Sequence, residues 1–400
     1  MVGAVAHEQH DQRCGHHQRI MINAAIAVVG GGPVGLTAAL ALADAGRDVT
    51  LIAPIEPPPD QRTAALLVGS VALLERLGVC AELQAMAAPL RRIRIADGTR
   101  RLLRAPEVTF DAGEIGLPAF GYNVANADLV AALERAVAKR GVIRKNALAD
   151  SAIVKGNVTI RLSTGQSVTA GLVVAADGRR SRMRDAAGIE VDTWSYDQAA
   201  LVCNVRHTLP HRDTSTEFHT EHGPFTLVPL AGNRSSLVWV DRPQESSRRL
   251  ALPDDAIAAE IEERSASILG AVVVEGSRQV FPLSGMTARR FAASRVAVVG
   301  EAAHLFPPIG AQGLNLGLRD VAALVDVVGE APDPGDAGHL VAYDRARRAE
   351  VLSRTVAVNA LNRTLLTDFL PVQALRGFGL FLLDRIPALR HAAMRQGLAG

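Results

Sequence analysis

Cysteine is scarce in this chain of 400 residues, and so is lysine. Cys14, Cys80 and Cys203 stand far apart, with no CxxC pair. That spacing argues against a disulfide framework or a zinc site and makes a reducing compartment the default. Lys139, Lys145 and Lys155 are the only lysines, so basic charge is almost all arginine, and acids balance it to a net +2. Bulk charge this close to neutral carries no nucleic-acid footprint. The first twenty residues lack the apolar core of a signal peptide. They hold His7, His10, His16 and His17 without an apolar period, and residues 1–21 read as a disordered leader rather than a metal-binding tract. From Ala24 to Ala43 there is no charge, which is long enough to cross a bilayer. Gly30, Gly31, Gly32 and Pro33 interrupt that run and no basic cluster borders it, so a spanning helix is excluded. With 48% hydrophobic residues the chain can bury a sizeable core. Its length suits two domains, or one large domain with an insertion.

What is present begins with "AVVGGGPVGL", Ala27 to Leu36. Ala25 to Val29 is an apolar run suited to a buried parallel strand. Gly30-x-Gly32-x-x-Gly35 then fits a dinucleotide fingerprint. Gly30 permits the sharp turn, Gly32 lets backbone approach a pyrophosphate, and Gly35 lets the helix pack close on the strand. Amides at the new helix N-terminus point at the phosphates. "LTAALALADAG" supplies that helix, with Gly46 at its end, and "DVTLIA" (Asp48 to Ala53) supplies a second strand. One piece is missing. The acid that grips a ribose belongs at the end of the second strand, where Ala53 and Pro54 stand instead. Glu56 lies past the strand in "PIEPPPD" and reads as a solvated loop carboxylate.

Three further stretches carry chemistry. In "LVVAADGRRSRMRDAAGI" a buried strand, Leu172 to Ala176, ends in Asp177-Gly178. Ligands of an open parallel sheet bind beyond such strand ends. Arg179, Arg180, Arg182 and Arg184 follow, which favours a phosphate-bearing ligand over a plain turn. In "SRVAVVGEAAHLFPPIGAQGLNLGLRDVAALVDVV" the strand Val296 to Val299 ends in Gly300-Glu301. A proline-rigid glycine loop follows, then a helix with Leu314, Leu318, Val321, Val325 and Val328 at helical spacing. Its N-terminus offers amides and a positive dipole to an electron-rich ring edge. His304 reads as a packed or solvated helix residue rather than an acid or base. In "DQRTAAL" (Asp60 to Leu66) Arg62 precedes a small-residue helix start, and taken alone it reads as a surface arginine.

Taken in this order, the four stretches resemble the single-component flavin monooxygenases with the para-hydroxybenzoate hydroxylase fold, over most of residues 22 to 385. "VGEAAHLFPPIGAQGLNLGLRDVAAL" closely resembles the signature of the ubiquinone-biosynthesis hydroxylases, and "FGYNVANADLVAAL" and "NRTLLTDFLPVQALRGFGL" are similar to its bacterial members. The resemblance implies that Gly30, Gly32 and Gly35 cradle the FAD pyrophosphate and that Arg62 faces its phosphate or ribitol side. It implies that Asn126, which starts a helix with Leu129, Leu133 and Val137, lies near the flavin. It gives Asp177 a contact with FAD and the passing nicotinamide. Glu301 would bind the ribitol, and backbone amides of Gly313, Leu314 and Asn315 would hold the pyrimidine edge of the flavin. The chain departs from the pattern twice: Ala53 replaces the ribose acid, and Gly300-Glu301 stands for the usual Gly-Asp.

The implied fold class is α/β, a Rossmann-like FAD-binding domain with an inserted antiparallel-sheet substrate domain and a C-terminal helical tail. The FAD domain is expected over 22–88, 121–190 and 286–345, the substrate domain over 89–120 and 191–285, and the tail over 346–400. "TEFHTEHGPFTLVPLAGNRSSLVWV" reads as an antiparallel meander within the insertion. The implied activity is aromatic-ring hydroxylation with FAD as cofactor, NAD(P)H as co-substrate and O2. The absence of a second GxGxxG fits a nicotinamide that visits without its own Rossmann domain. No side-chain acid or base is nominated. The implied substrate is a polyprenylated phenol on the way to ubiquinone. The alternatives are a small soluble phenol and a non-catalytic flavin-fold subunit of a biosynthetic complex. Residues 341–400 hold nine arginines against four acids, interleaved with "FGLFLL" and "LLTDFLPV". That pattern fits peripheral contact with an anionic membrane. A helix pair packed on the FAD domain is the alternative. The expected location is cytoplasmic, peripheral to the inner membrane.

Overall fold

The computed structural model describes residues 21–55, 60–99, 104–308, 311–366 and 370–398. The expected leader, Glu56 and Gly310 lie outside the described residues. Five mutually parallel strands form the centre of the first sheet: β1 (Met21–Val29), β2 (Val49–Ile52), β3 (Ile143–Lys145), β4 (Ser167–Ala175) and β5 (Val296–Val298). Their spatial order is 3-2-1-4-5, which matches the dinucleotide-binding sheet order 3-2-1-4-5-6 as far as its fifth strand. Val29 lies opposite both Ile52 and Ala175, so β1, β2 and β4 end on one edge. The apolar runs are explained by burial on both faces: Ile26, Ala27 and Val28 are fully buried, as are Val173, Val174 and Val298.

Four helices matter to the site: α1 (Pro33–Asp44), α2 (Asn126–Lys139), α3 (Gln312–Val328) and α4 (Ala337–Leu366). Helix α1 ends as expected at Gly46, which adopts φ +78°. The next residue, Arg47, spends its guanidinium on the carbonyls of Val328, Gly329 and Ala331, so it closes the C-terminal end of α3. The apolar stripe of α3 is wider than its sequence spacing suggests. Leu316, Leu318, Val321, Leu324 and Val328 are buried while Leu314 and Val325 are half-buried, because α1 packs on one side and α4 on the other.

A second sheet has eight strands, in the order 304–305, 272–288, 191–207, 234–241, 223–230, 214–220, 92–97 and 108–111. The expected meander is present as Thr214–Thr220, Gly223–Leu230 and Arg234–Asp241, antiparallel throughout. Two helices, Pro243–Leu250 and Asp254–Arg264, cover one face of this sheet. Ile257 and Ile261 join Leu201, Phe225 and Trp239 in a core of its own. Arg249 lies 3.9 Å over the Trp239 ring and pairs with the buried Asp241. A short sheet, Thr63–Leu67 with Gly121–Ala125 and Ala88–Pro89, fills the space between the two large ones. Asn123 crosses from it to donate to the Pro229 carbonyl at 2.9 Å.

Candidate functional site

The glycine loop fixes one corner of the site. Gly30 sits at φ +122°, and a Cβ there would stand 2.2 Å from the Ala176 carbonyl oxygen. A Cβ on Gly35 would stand 2.1 Å from the Gly30 oxygen. Both positions exclude any side chain, which brings α1, β1 and the end of β4 together. Gly32 differs. Its φ is −76°, and a Cβ there would meet no protein atom within 4 Å. The fold leaves that space open, as a ligand approached by backbone requires.

Two helix N-termini open on this edge. Helix α1 starts at Pro33 with no side-chain cap and no acid in its first turn. Helix α3 starts after Ala311, a left-handed residue at φ 54°, and also has no side-chain cap. A helix start without a side-chain cap suits a ligand that accepts from backbone amides. The two starts are held close by Val34, whose side chain fills the space beside Gly300 and Gly317. Cβ atoms at those glycines would come within 3.1 and 2.7 Å of it. Gly313 is exposed. The Asn315 side chain is buried and turns away from the opening. It accepts from the Leu67 amide and donates to the carbonyls of Ala65 and Ala311, so only its backbone faces the helix start.

A polar cluster forms the opposite wall. Asp60 takes a two-pronged contact from Arg62, through Nε and Nη2 at 2.8 Å each, and a third bond from Asn126 Nδ2 at 2.8 Å. Burial pushes the Asp60 carboxyl up, but these hydrogen bonds outweigh it and hold the group at about 2. Arg62 lies 5.6 Å over the Phe281 ring of the second sheet and is attracted by Glu301. The Glu301 carboxylate is exposed, in the turn directly after β5. Asn126 Oδ1 is buried and has no partner. Sequence reading missed Asp60. Its signal is the Asp-x-Arg spacing, in which the Asp60 carboxylate also accepts the Arg62 amide at 3.0 Å.

Asp177 lies beside Gly30 and accepts from the Ser181 hydroxyl and from the amides of Arg182 and Met183. Burial nevertheless pushes its carboxyl above the ordinary range. The four arginines after it divide. Arg184 is buried and spent on the carbonyls of Arg179 and Ala302 and on Asp185. Arg182 pairs with Asp150. Arg179 and Arg180 are exposed. Gly30 thus meets Asp177 at the strand ends, Val34 ties the start of α1 to Gly300 and α3, and Glu301 faces the Asp60–Arg62–Asn126 cluster, whose Arg62 lies over Phe281.

Beneath Glu301 lies a network that sequence reading did not foresee. His304 is not a helix residue. It sits in the short strand His304–Leu305 and is 1% exposed. Its Nε2 is 2.7 Å from Asp320 Oδ2, which also accepts the Gly300 amide at 2.9 Å. Arg347 of α4 donates to Asp320 Oδ1 at 2.7 Å. Asp320 is completely buried, yet its carboxyl is held below the ordinary carboxylate range by His304 and Arg347.

This architecture, a Rossmann-like parallel sheet with a glycine loop beside an antiparallel sheet, together with the family and relatives that the chain matches, defines an FAD-dependent monooxygenase. The FAD binding domain family matches residues 23–357. Ubiquinone hydroxylase UbiL of Rhodospirillum rubrum is 35% identical over 93% of this chain and 89% of its own length. The 3-demethoxyubiquinol 3-hydroxylase of Escherichia coli is 32% identical over 93% of this chain and 98% of its own. The crystal structure of p-nitrophenol 4-monooxygenase PnpA from Pseudomonas putida DLL-E4 shares the fold, with a TM-score of 0.78 at 20% identity over 95% of this chain and 99% of that one. The chain belongs to the FAD-binding-domain family of FAD-dependent monooxygenases, with ubiquinone-biosynthesis hydroxylases among its relatives.

The Asp320 network yields a test. Asp320→Ala leaves the Gly300 amide and the His304 ring without their acceptor and takes one of two carboxylates from Arg347, which keeps Glu350. The expected loss of unfolding free energy is about 1–3 kcal/mol, read as a lower urea midpoint at unchanged m-value. A parental midpoint would show that the network adds nothing to the fold.

Proposed function

We propose that this monooxygenase hydroxylates a polyprenylated phenol in ubiquinone biosynthesis, with NAD(P)H as reductant and O2 as the oxygen source. The relatives' names support that substrate class over a small soluble phenol, and support catalysis over a non-catalytic subunit. The observation that carries the cofactor placement is the open space at Gly32, in a glycine loop whose neighbours Gly30 and Gly35 are closed to any side chain. In this reading Gly30, Gly32, Gly35 and the start of α1 hold the pyrophosphate of FAD. Glu301 accepts from the ribitol, Arg62 and Asn126 face its polar side, and Asp177 orders the turn beside it. Amides of Gly313, Leu314 and Asn315 hold the pyrimidine edge. FAD bound there supplies activation of O2 with electrons from NAD(P)H. The protein orients the ring of the substrate against the Phe281 side of the opening and keeps water out.

Purified protein should carry flavin absorbance, and its NAD(P)H oxidation should rise with a short-prenyl phenol. A deletion strain should accumulate a quinone intermediate lacking one ring hydroxyl, cleared by the parent gene. An unchanged quinone profile in that strain would overturn the substrate class. Gly32→Val separates cradle from fold. The backbone at Gly32 accepts a side chain and no protein atom obstructs it, so the variant should unfold at the midpoint of the parental apo-protein, the parent with bound flavin being higher by the binding free energy. It should still lose its flavin absorbance, because the valine occupies the pyrophosphate space. A fully yellow variant would remove this loop from the cofactor site.

The membrane reading belongs here as well. Among the described residues no helix is long and apolar enough to cross a membrane. The last helices offer a peripheral alternative. Phe378 and Phe381 stack on one another, 56% and 43% exposed, with Arg385 lying 5.5 Å over the Phe381 ring. Ile386 and Leu389 are exposed beside them. Aromatic rings with arginine suit the boundary of an anionic bilayer. The final helix, Pro387–Leu398, is anchored independently, by Arg390 on Glu114 and by Met394 beside Ala112 and Phe120. Phe378→Ser with Phe381→Ser should therefore leave the fold intact and lower flotation with anionic liposomes. Unchanged flotation of the folded double variant would take this face out of membrane contact.

A further inference from the structure

The missing ribose acid has a counterpart in the fold. Ala53, at the end of β2, is 1% exposed and packs against the glycine loop: a Cβ on Gly31 would stand 2.9 Å from its own Cβ. The side chain that reaches this place comes from β3. Arg144 donates from Nε to the Ala53 carbonyl at 3.3 Å and from Nη2 to the Pro54 carbonyl at 2.5 Å, while Nη1 pairs with Glu134 of α2. Its Nη2 lies 3.8 Å from the Cβ position of Gly31. The guanidinium has five N–H donors in a fixed fork. Three are engaged by these contacts, which leaves one on Nη1 and one on Nη2 at the rim of the glycine loop.

We propose that Arg144 is a cofactor-binding residue that donates to the hydroxyls of the adenosine ribose of FAD, in place of the carboxylate acceptor that Ala53 cannot supply. The inference rests on reading the glycine loop as the FAD cradle. A ribose hydroxyl both donates and accepts, so a donor can replace an acceptor at this position without loss of a hydrogen bond. The exchange of polarity also fits the charge. Glu134 neutralises the guanidinium, and the side chains of the pair are only 17% and 25% exposed. A neutral pair suits an uncharged diol and offers no surplus charge to a ribose phosphate. The carbonyls of Ala53 and Pro54 and the Glu134 carboxylate hold the fork on three sides, so its free donors are fixed before any ligand arrives.

The test is a comparison of two flavins on apo-protein of the full chain, titrated by flavin fluorescence: FAD, and FAD carrying 2′,3′-dideoxyadenosine. The parent should bind the dideoxy form roughly ten-fold more weakly or worse, the worth of a charge-assisted hydrogen bond. Arg144→Met should bind the two flavins within about two-fold of each other, as expected where no contact is left to lose. Glu134→Gln, which keeps the guanidinium, should discriminate as the parent does. Arg144→Met discriminating like the parent would overturn the proposal. So would a parent indifferent to the missing hydroxyls, a result that needs no variant and does not depend on Arg144→Met folding. A parent that binds neither flavin would overturn the cradle reading itself, which sets the two failures apart.

Discussion

The carboxylate of Asp320 is the contact on which the glycine-loop edge of this molecule depends. It is completely buried in the middle of α3, and three separate parts of the chain meet on it. The Gly300 amide from the end of β5, the His304 ring from the strand beyond, and the Arg347 guanidinium from α4 all reach its two oxygens. Burying one charge alone would be costly, and the arginine with two further partners makes it tenable. The geometric consequence is specific. Gly300 is held at φ +59°, a backbone state that glycine tolerates, and Glu301 leaves the strand end in a direction set by that bond. The residue that differs from the usual Gly-Asp therefore sits on a backbone fixed from below.

Close packing extends this constraint to the glycine loop. Val34, in the first turn of α1, fills the space over Gly300 and Gly317, so α1 and α3 approach at a distance that larger residues would prevent. Both helices then begin at the same edge without side-chain caps. Elsewhere an uncapped start is a weakness, and here the exposed amides are what an anionic or electron-rich ligand needs. The far end of α3 is treated in the opposite way. Arg47 satisfies the carbonyls of Val328 and Gly329 and that of Ala331 just beyond, so the helix is finished at its C-terminus while its N-terminus has no side-chain cap.

The second sheet contributes a wall. Gln61 accepts from the amide and hydroxyl of Ser277, Arg62 lies over Phe281, and Asn123 bonds Pro229. These contacts seat the strap before the strand Thr63–Leu67 against the antiparallel sheet. They place Asp60, Arg62 and Asn126 where the two sheets face each other, the setting in which ligand sites of α/β proteins commonly lie.

Much of this was legible from the residues. The strands β1, β2, β4 and β5 declared themselves by short apolar runs, because a strand buried on both faces has no other composition to adopt. Gly30 was readable because its turn takes φ +122°, and Gly35 because a Cβ there would meet the Gly30 oxygen five residues back, whereas the Ala176 carbonyl that also crowds Gly30 is brought there by the sheet. Helix α3 followed from its spacing, and α2 from the family resemblance. What the sequence did not determine is every pairing of distant side chains. His304 was read as a helix residue because nothing near it announces Asp320 or Arg347. Only the backbone of Asn315 was given a role from sequence, and nothing along the chain announced that its side-chain amide bonds the strand Thr63–Leu67. Arg144 stands 91 positions from Ala53 and meets it only because β3 lies beside β2. Periodicity and glycine placement are set by forces within a few residues and so can be read along the chain. The partners of a buried charge are chosen by the order of strands and the packing of helices, and those exist only once the chain has folded.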